Sequence, residues 1–262
     1  MPDTTEELLS DIRSRLRAYE TKPGRLYQSA TQASYATWSD GPFGRTDDEV
    51  NKTVSVYDKG AVLGLLLDFN IRHLTKSKKS LDDVMRTLYK EFYQQKKRGF
   101  TEAEFQRVCE KIAGTSLPEI FSYASTVKSI DYKKYLAYGG LDIDVEPRPV
   151  AGAWLGLSTR LRRDSLVVSA VDYESPAWNA GMRSGMILLD VNGSHPRNFQ
   201  LQPLMKEMKA GDKMEIKVMV KGNEKQFVFS LSTKIEPSYT ILPMAKPTKL
   251  QREIFDSWLN PK

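Results

Sequence analysis

The spacing of apolar residues changes near residue 145, from helical periodicity to short β-branched runs between glycine, asparagine and proline. In the first part, Leu8, Ile12 and Leu16 recur every four residues, which predicts an amphipathic helix. The segment from Tyr57 to His73 is apolar on nearly all sides, which predicts a buried helix. We therefore expect an α+β chain in which a helical region precedes a β-rich one.

Helix start signals complete the prediction for the first part. Ser80 precedes two acidic residues, and residues 101–104 (Thr-Glu-Ala-Glu) form the pattern of a capping box. Residues 116–119 (Ser-Leu-Pro-Glu) repeat that pattern, and residues 131–138 form a short helix that ends before two glycines. Together these signals predict an all-α array of five or six helices over residues 1–145.

The second part predicts a small β-sandwich or barrel with two helices. Its elements run in the order strand, strand, short helix, strand, helix, strand, strand. The predicted strands cover residues 153–159, 165–171, 186–191, 214–220 and 226–231. Ser175 opens the short helix, and Leu204, Met205 and Met208 mark the longer one.

The expected domain boundaries follow from these two patterns. Residues 144–149 contain two prolines two positions apart, which favours an extended linker. We expect a helical domain at 1–145, a β-rich domain at 150–233 and a tail at 234–262 that packs on the body.

Charge and composition exclude several classes of protein. The chain has 39 Lys+Arg against 33 Asp+Glu, but its lysines are interleaved with acids, so we expect no nucleic-acid partner. No stretch reaches the roughly 18 apolar residues of a membrane span. The first 16 residues are charged and do not resemble a signal peptide, which leaves the compartment open.

Cysteine and histidine are scarce. One cysteine, Cys109, excludes an intrachain disulfide and a Cys-rich zinc site. His73 and His195 are too far apart for any local metal-binding motif, so we assign no metal ligand in this sequence. We interpret Asp68 and Arg72, four residues apart, as a structural ion pair.

Three sequence segments in the second part, taken in order along the chain, resemble a known type of domain. They are residues 154–157 (Trp-Leu-Gly-Leu), residues 175–185 (Ser-Pro-Ala-Trp-Asn-Ala-Gly-Met-Arg-Ser-Gly) and residues 187–193 (Ile-Leu-Leu-Asp-Val-Asn-Gly). This set resembles a PDZ domain of the bacterial protease-associated type, over roughly residues 150–233. Met186 departs from the pattern, because many such domains have Asp there.

The resemblance implies a peptide-binding groove, in which an extended peptide adds to a sheet edge and its terminal carboxylate meets backbone N–H groups. Gly156 would let the backbone approach the peptide. Its alternative interpretation is a strand glycine at a bulge. Such domains also bind internal segments or pack against a neighbouring domain.

The side chains of the implied groove come from two elements. Leu155 and Leu157 would face the pocket for the last side chain of the peptide, and Leu204, Met205 and Met208 would form the opposite wall. The alternative is that these are simply core residues, because apolar stripes at helical spacing are more often core.

A second resemblance covers nearly the whole chain. Residues 54–60 (Val-Ser-Val-Tyr-Asp-Lys-Gly) resemble the tyrosine-containing segment of gluzincin zinc aminopeptidases. Residues 23–25 (Pro-Gly-Arg), 33–38 (Ala-Ser-Tyr-Ala-Thr-Trp), 65–72 and 80–86, with Trp258-Leu259 near the end, resemble the C-terminal part of the glycyl aminopeptidase family. That family places a PDZ domain after its helical region.

The family resemblance implies a fragment of a larger enzyme. Its members hold zinc with an HExxH motif and a later Glu, which lie upstream of the part that this chain resembles. We therefore expect no cofactor and no peptidase activity in this chain alone. Zinc would belong to a full-length enzyme, whose N-terminal catalytic portion would be a partner of this chain and whose export the sequence leaves open.

Tyr57 is the one catalytic position that the resemblance transfers. Its hydroxyl would donate a hydrogen bond to the oxyanion of the tetrahedral intermediate. The alternative is a buried tyrosine that ties a loop to a helix. Beside it, we expect Lys59 to pair with a carboxylate and Gly60 to allow close packing.

Two functions therefore remain open. The first is the C-terminal part of a zinc aminopeptidase-like protease with a PDZ module that binds peptides or protein C-termini. The second is a non-catalytic PDZ peptide-binding or scaffolding protein.

Overall fold

A computed structural model describes residues 4–37, 53–195 and 201–260, and the chain forms two compact units. The helical unit contains the described residues up to Val145 together with those from Tyr239 onward. The β-rich unit contains the described residues between Glu146 and Ser238. Trp38, which ends one of the strings that resemble the aminopeptidase family, lies outside the described residues.

The described part of the helical unit has seven α-helices before residue 140, one more than the upper expectation. These are α1 (Thr5–Glu20), α2 (Ala30–Ala36), α3 (Val56–Leu74), α4 (Leu81–Leu88), α5 (Glu102–Ala113), α6 (Pro118–Ser125) and α7 (Tyr132–Tyr138). A 3₁₀ turn at Pro23–Leu26 precedes α2, and a π-helical turn at Tyr89–Gln95 continues α4. The helix missing from the prediction is α2, which the capping box of Ser29 and Gln32 starts.

Helix α3 is the centre of this unit, because it contacts α1, α2, α4, α5, α6 and α7. Val62, Leu66 and Phe69 on this helix are buried in the core, as its apolar sequence predicts. Its first turn is different, since Tyr57 and Gly60 are exposed. The helix is therefore buried along most of its length and open at its beginning.

The predicted caps of α4 and α5 are confirmed. The Ser80 hydroxyl accepts a hydrogen bond from the backbone N–H of Asp82 at 3.2 Å. The Thr101 hydroxyl accepts from the N–H of Glu104 at 3.2 Å, and the Glu104 carboxylate accepts from the N–H of Thr101 at 3.0 Å. Each reciprocal pair satisfies N–H groups that the first helical turn leaves without a partner.

The capping box predicted at residues 116–119 is wrong. Helix α6 begins after Leu117, and no side chain caps it. Instead, the Glu110 carboxylate accepts from the Ser116 hydroxyl at 3.2 Å and from the Leu117 N–H at 3.0 Å. Glu119 accepts from the Tyr123 hydroxyl at 3.0 Å, so its carboxylate is occupied elsewhere.

The β-rich unit has one antiparallel sheet in the order β3-β4-β5-β6-β7, which leaves β3 and β7 at its edges. The strands are β3 (Leu157–Arg162), β4 (Ser165–Val171), β5 (Ile187–Val191), β6 (Lys213–Val220) and β7 (Asn223–Ser230). Helix α8 (Pro176–Asn179) precedes β5, and α9 (Leu201–Glu207) precedes β6. The α+β class and the order of elements predicted from the sequence are confirmed.

Two short strand pairs and one helix complete the chain. In the helical unit, β1 (Leu141–Ile143) pairs with β9 (Ile241–Pro243); in the β-rich unit, β2 (Pro147–Pro149) pairs with β8 (Ile235–Pro237). Helix α10 (Lys249–Leu259) contacts α3 and α7. Its Trp258 ring lies edge-on to Phe69, with 5.2 Å between the ring centroids. The tail therefore returns to the helical unit.

Candidate functional site

Tyr57 lies in the first turn of α3, where the Ser55 hydroxyl accepts a hydrogen bond from the Asp58 N–H at 3.1 Å. Its side chain is 81% exposed. The alternative of a buried tyrosine that ties a loop to a helix is therefore wrong. The phenol is accessible beside a helix start, where the helix dipole favours negative charge.

Lys59, two residues further along, is fully buried. Its ammonium donates to the Thr126 carbonyl oxygen at 3.2 Å and lies 5.3 Å from the centre of the Tyr19 ring. Burial lowers the pKa of Lys59, and the negative charge of Glu20 opposes that shift. The expected carboxylate partner is thus replaced by a carbonyl and an aromatic face, and Lys59 is a structural residue.

Gly60 does not serve close packing. A methyl group added at this position would meet no heavy atom of the described residues within 4 Å, and the same holds for Gly64 one turn later. This expectation is therefore wrong.

Asp68 and Arg72 form the predicted ion pair, with 2.8 Å between Oδ2 and Nε, and both residues are buried. The other Asp68 oxygen accepts from the Leu81 N–H at 2.7 Å, at the start of α4. Arg72 also donates to the Ser257 hydroxyl at 2.8 Å, in α10. The pair therefore joins three helices and is structural.

Neither the thiol of Cys109 nor the imidazole of His73 is arranged for catalysis. Cys109 is buried, and burial raises the pKa of its thiol to about 12, which keeps it protonated. The His73 ring stacks on Tyr138 with 4.0 Å between centroids, and burial lowers the pKa of the imidazole.

The described residues do not fit a zinc site. They contain no group of three or more His, Cys, Asp or Glu side chains that could hold a metal ion. Within the same ranges, no helix combines the length and the apolar character needed to cross a bilayer.

The structure brings the predicted groove residues of the β-rich unit into one cluster. Leu155 and Leu157 are buried in its core, and Leu204, Met205 and Met208 are half-buried and pack against that core. Strand β3 starts at the second leucine and pairs only with β4, so its other edge carries no strand in the described part of the chain. The cluster therefore lies next to an open sheet edge.

Gly156 lies in the loop before β3 rather than at the bulge, which falls between Ser158 and Thr159. Its φ of +75° belongs to the left-handed region that favours glycine. A methyl group here would lie 2.1 Å from Cβ and 2.4 Å from Oγ of Ser175. The sequence alone did not reveal this contact, because the two residues are distant along the chain.

The loop before β3 is anchored on both sides. The Leu155 carbonyl accepts from the Ala177 N–H at 3.1 Å, and the Met205 carbonyl in α9 accepts from the Ala153 N–H at 2.8 Å. Gly152, which the sequence analysis missed, allows this approach, since a methyl group there would lie 2.9 Å from the Met205 oxygen. Its only signal in the sequence is a glycine four residues before Gly156.

Two consecutive donors in this loop have no partner. The N–H groups of Leu155 and Gly156 donate to no group of the described residues, whereas Trp154 on one side donates to Ser232 at 2.8 Å. Successive free N–H groups form a concave site that suits an anion. The loop can therefore accept a carboxylate at the point where β3 begins.

Three comparisons place this structure among known proteins. The sequence profile of the M61 glycyl aminopeptidase family matches residues 3–63, a range that contains Tyr57. No curated protein sequence matches the chain.

The similar solved structures are distant in sequence. An aminopeptidase N family protein from Idiomarina loihiensis shares 19% identity at a TM-score of 0.79, and the match covers 97% of this chain and 44% of that chain. The HtrA3 PDZ domain bound to a phage-derived ligand shares 16% identity at a TM-score of 0.25, over 35% of this chain and 91% of that chain.

The present chain thus spans less than half the length of the aminopeptidase N family protein, whose fold it shares. Over residues 3–63 it is similar to M61 glycyl aminopeptidases, and its described residues between Glu146 and Ser238 form a β-rich unit.

Proposed function

We propose that the chain is the C-terminal part of a zinc-dependent aminopeptidase-like protease, and that its β-rich unit captures the C-terminal segment of a peptide or protein. The observation that carries the proposal is the pair of free N–H groups at Leu155 and Gly156, at the start of the open edge of β3. A terminal carboxylate would accept from these donors. The residues before it would extend along β3.

The affinity of such a site has two sources. Backbone hydrogen bonds along the sheet edge hold the peptide, and a pocket for its last side chain selects it. Leu157, Leu204 and Met208 provide apolar surface for that side chain, because the first is in the core and the other two pack against it. We assign Leu155 and Met205 mainly a structural role, since their carbonyl groups accept the hydrogen bonds that anchor the loop before β3.

Fluorescence anisotropy with a labelled octapeptide that ends in leucine tests this proposal on the full chain. We expect binding to the free acid and at least a tenfold loss for the C-terminal amide, which lacks the charge that the N–H groups accept. Leu204→Ala should weaken binding of the acid, while Ile235→Ala, an exposed residue in β8, should not. Failure of every apolar-ended peptide to bind the folded chain would refute peptide capture.

In the peptidase, we assign the oxyanion hydrogen bond to the Tyr57 hydroxyl. The support is its exposure in the first helical turn and the family profile that covers it. A fixed donor at a developing oxyanion contributes about 2.7–4 kcal/mol, or roughly 10²–10³ in kcat. The described residues offer no zinc ligand set, so the metal would be held by residues outside them.

Two measurements test this second part. The chain alone, with zinc added, should not hydrolyse glycyl substrates, and clear turnover would contradict the proposal. In a complete enzyme that includes an upstream HExxH segment, Tyr57→Phe should lower kcat by about 10²–10³. Tyr35→Phe is the matched control, because that tyrosine is also highly exposed, at 75%.

A non-catalytic peptide-binding or scaffolding protein is the second candidate. It is favoured by the fact that the free N–H pair and the open edge both lie within this chain. The upstream reading frame separates the two candidates. An HExxH motif followed by a glutamate supports the peptidase, and an authentic translation start at Met1 supports the scaffold.

A further inference from the structure

The open edge of β3 carries a row of positive charge on one face. Successive side chains of a strand point to opposite faces of the sheet. Leu157, the first residue of β3, is buried and points to the core, so Ser158, Arg160 and Arg162 share the other face, and all three are exposed. Arg163 adds a further cation in the turn that follows.

Two arginines of this row have no partner in the part of the chain that the structure describes. Among the described residues, neither Arg160 nor Arg162 forms a hydrogen bond or an ion pair. The adjacent strand β4 has the sequence Ser-Leu-Val-Val-Ser-Ala-Val and offers no carboxylate. Asp164, in the turn after β3, already has an interaction of its own. Within the described ranges, Arg160 and Arg162 therefore have no negative partner.

We propose that the peptide captured at β3 carries acidic side chains at the third and fifth positions before its C-terminal residue. This inference rests on the proposed peptide capture and adds the chemical class of its ligand. A carboxylate at the free N–H groups of Leu155 and Gly156 places the last residue of the peptide beside Leu157. The rest of the peptide then extends toward Arg162, so it runs antiparallel to β3.

The register follows from this direction. In an antiparallel pair, residues directly opposite each other have Cβ atoms about 4.5–5.5 Å apart and point to the same face. Counting back from Leu157, the third residue before the last lies opposite Arg160 and the fifth lies opposite Arg162. The second and fourth lie opposite Thr159 and Leu161 and point to the other face.

Three labelled octapeptides with the same C-terminal leucine test the inference on the full chain by fluorescence anisotropy. The first has Glu at the third and fifth positions before the last residue, the second has Glu at the second and fourth, and the third has Gln at all four. Each opposite-charge pair across strands is expected to lower Kd about 1.4-fold to fivefold. We therefore expect the first peptide to bind at least about twofold more tightly than the third, with a smaller gain for the second.

The outcomes separate this inference from the proposed function. Equal affinity for the first and third peptides overturns the acidic preference but leaves peptide capture standing. Equal gains for the first and second peptides indicate nonspecific attraction to the cations, as for a nucleic acid or an anionic membrane, and overturn the assigned positions. If none of the three binds, peptide capture itself fails, and this inference fails with it.

Two variants assign each position to one arginine. Arg160→Gln should remove only the gain in affinity that comes from Glu at the third position. Arg162→Gln should remove only the gain in affinity that comes from Glu at the fifth. Lys225→Gln is the control, because Lys225 is an exposed cation on β7 at the opposite edge of the same sheet. A gain that survives in both arginine variants would contradict the assignment.

Discussion

The two units of this molecule fix their internal structure in different ways. Among the described residues, the helical unit buries six polar or charged side chains, whereas the β-rich unit buries one, Ser175. The helical set is Gln28, Ser29, Lys59, Asp68, Arg72 and Ser80. The helical unit therefore contains buried charges and polar groups that need partners, whereas the core of the β-rich unit is almost wholly apolar.

This difference predicts which kind of substitution destabilises each unit. Removing one member of a buried pair leaves the other charge without a partner, which is costly in a medium of low dielectric constant. Adding one methyl group to a site where backbone segments already touch forces them apart. We expect loss of charge to be most costly in the helical unit, whereas gain of volume should destabilise either unit at its tight glycines, such as Gly139 beside Phe69 and Gly156 beside Ser175.

The largest effect is expected for Asp68→Ala. Arg72 would remain buried without its carboxylate, and the Leu81 N–H would lose its acceptor. Breaking a buried ion pair in this way costs about 3–5 kcal/mol in the free energy of unfolding. Urea denaturation followed by circular dichroism measures the loss.

Asp11→Ala is the matched control, because Asp11 and Arg15 form a pair of the same spacing at 3.0 Å on the exposed face of α1. An exposed pair contributes little to stability, because solvent screens the two charges. Similar losses in Asp68→Ala and Asp11→Ala would show that the buried network is not what stabilises the helical unit.

A somewhat smaller effect is expected for Gly156→Ala in the β-rich unit. The left-handed backbone costs a residue with a side chain about 1–2 kcal/mol. The contact with Ser175 adds about 1–3 kcal/mol, because the new methyl group would overlap it. Thermal unfolding of the variant measures the sum.

Comparison with Gly193→Ala separates the steric contribution from the backbone contribution. Gly193 has a similar φ of +79°, but nothing lies within 4 Å of an added methyl group. We expect this control to lose only the backbone contribution. The double variant Gly156→Ala/Ser175→Gly should recover stability relative to Gly156→Ala, and failure to recover would argue against the contact.

The smallest effect concerns pH and the helical unit. Burial lowers the pKa of His73 in the folded chain below its ordinary value of 6.5. As pH falls, the unfolded chain binds the proton first, so stability decreases through pH 6.5 and levels off below the lowered pKa.

His73→Phe keeps an aromatic ring beside Tyr138 and cannot titrate. Urea denaturation at pH 8 and pH 5.5 should show a smaller loss of stability on acidification in this variant than in the parent chain. An unchanged loss would assign the pH dependence to other groups.

Local patterns predicted much of this fold. The caps at Ser80 and Thr101 are encoded within four residues, so the sequence alone shows them. The alternation of apolar residues likewise predicted the order of strands in the β-rich unit, and the buried pair of Asp68 and Arg72 was evident from its spacing.

Contacts between distant residues explain what the sequence did not show. The box at residues 116–119 failed because Glu110, from the preceding helix, supplies the acceptor instead. Lys59 is buried against Thr126, which no local pattern indicates. Similarly, the sequence predicts a peptide-binding role for Gly156 but does not show its contact with Ser175. That contact depends on how the loop before β3 packs against α8. The role of Gly156 in peptide capture, like that of Tyr57 in catalysis, stays a prediction.

The discontinuous helical unit has a consequence for biosynthesis. The hydroxyl of Ser257 accepts a hydrogen bond from Arg72, 185 positions earlier in the chain. At about 5–20 residues per second, a ribosome adds α10 roughly 10–40 s after α3. The β-rich unit, whose described residues all lie between Glu146 and Ser238, can complete its sheet within that interval. The helical unit is therefore translated first but completes its fold last. Until Trp258 is synthesised, the apolar surface around Phe69 lacks its contact with that ring.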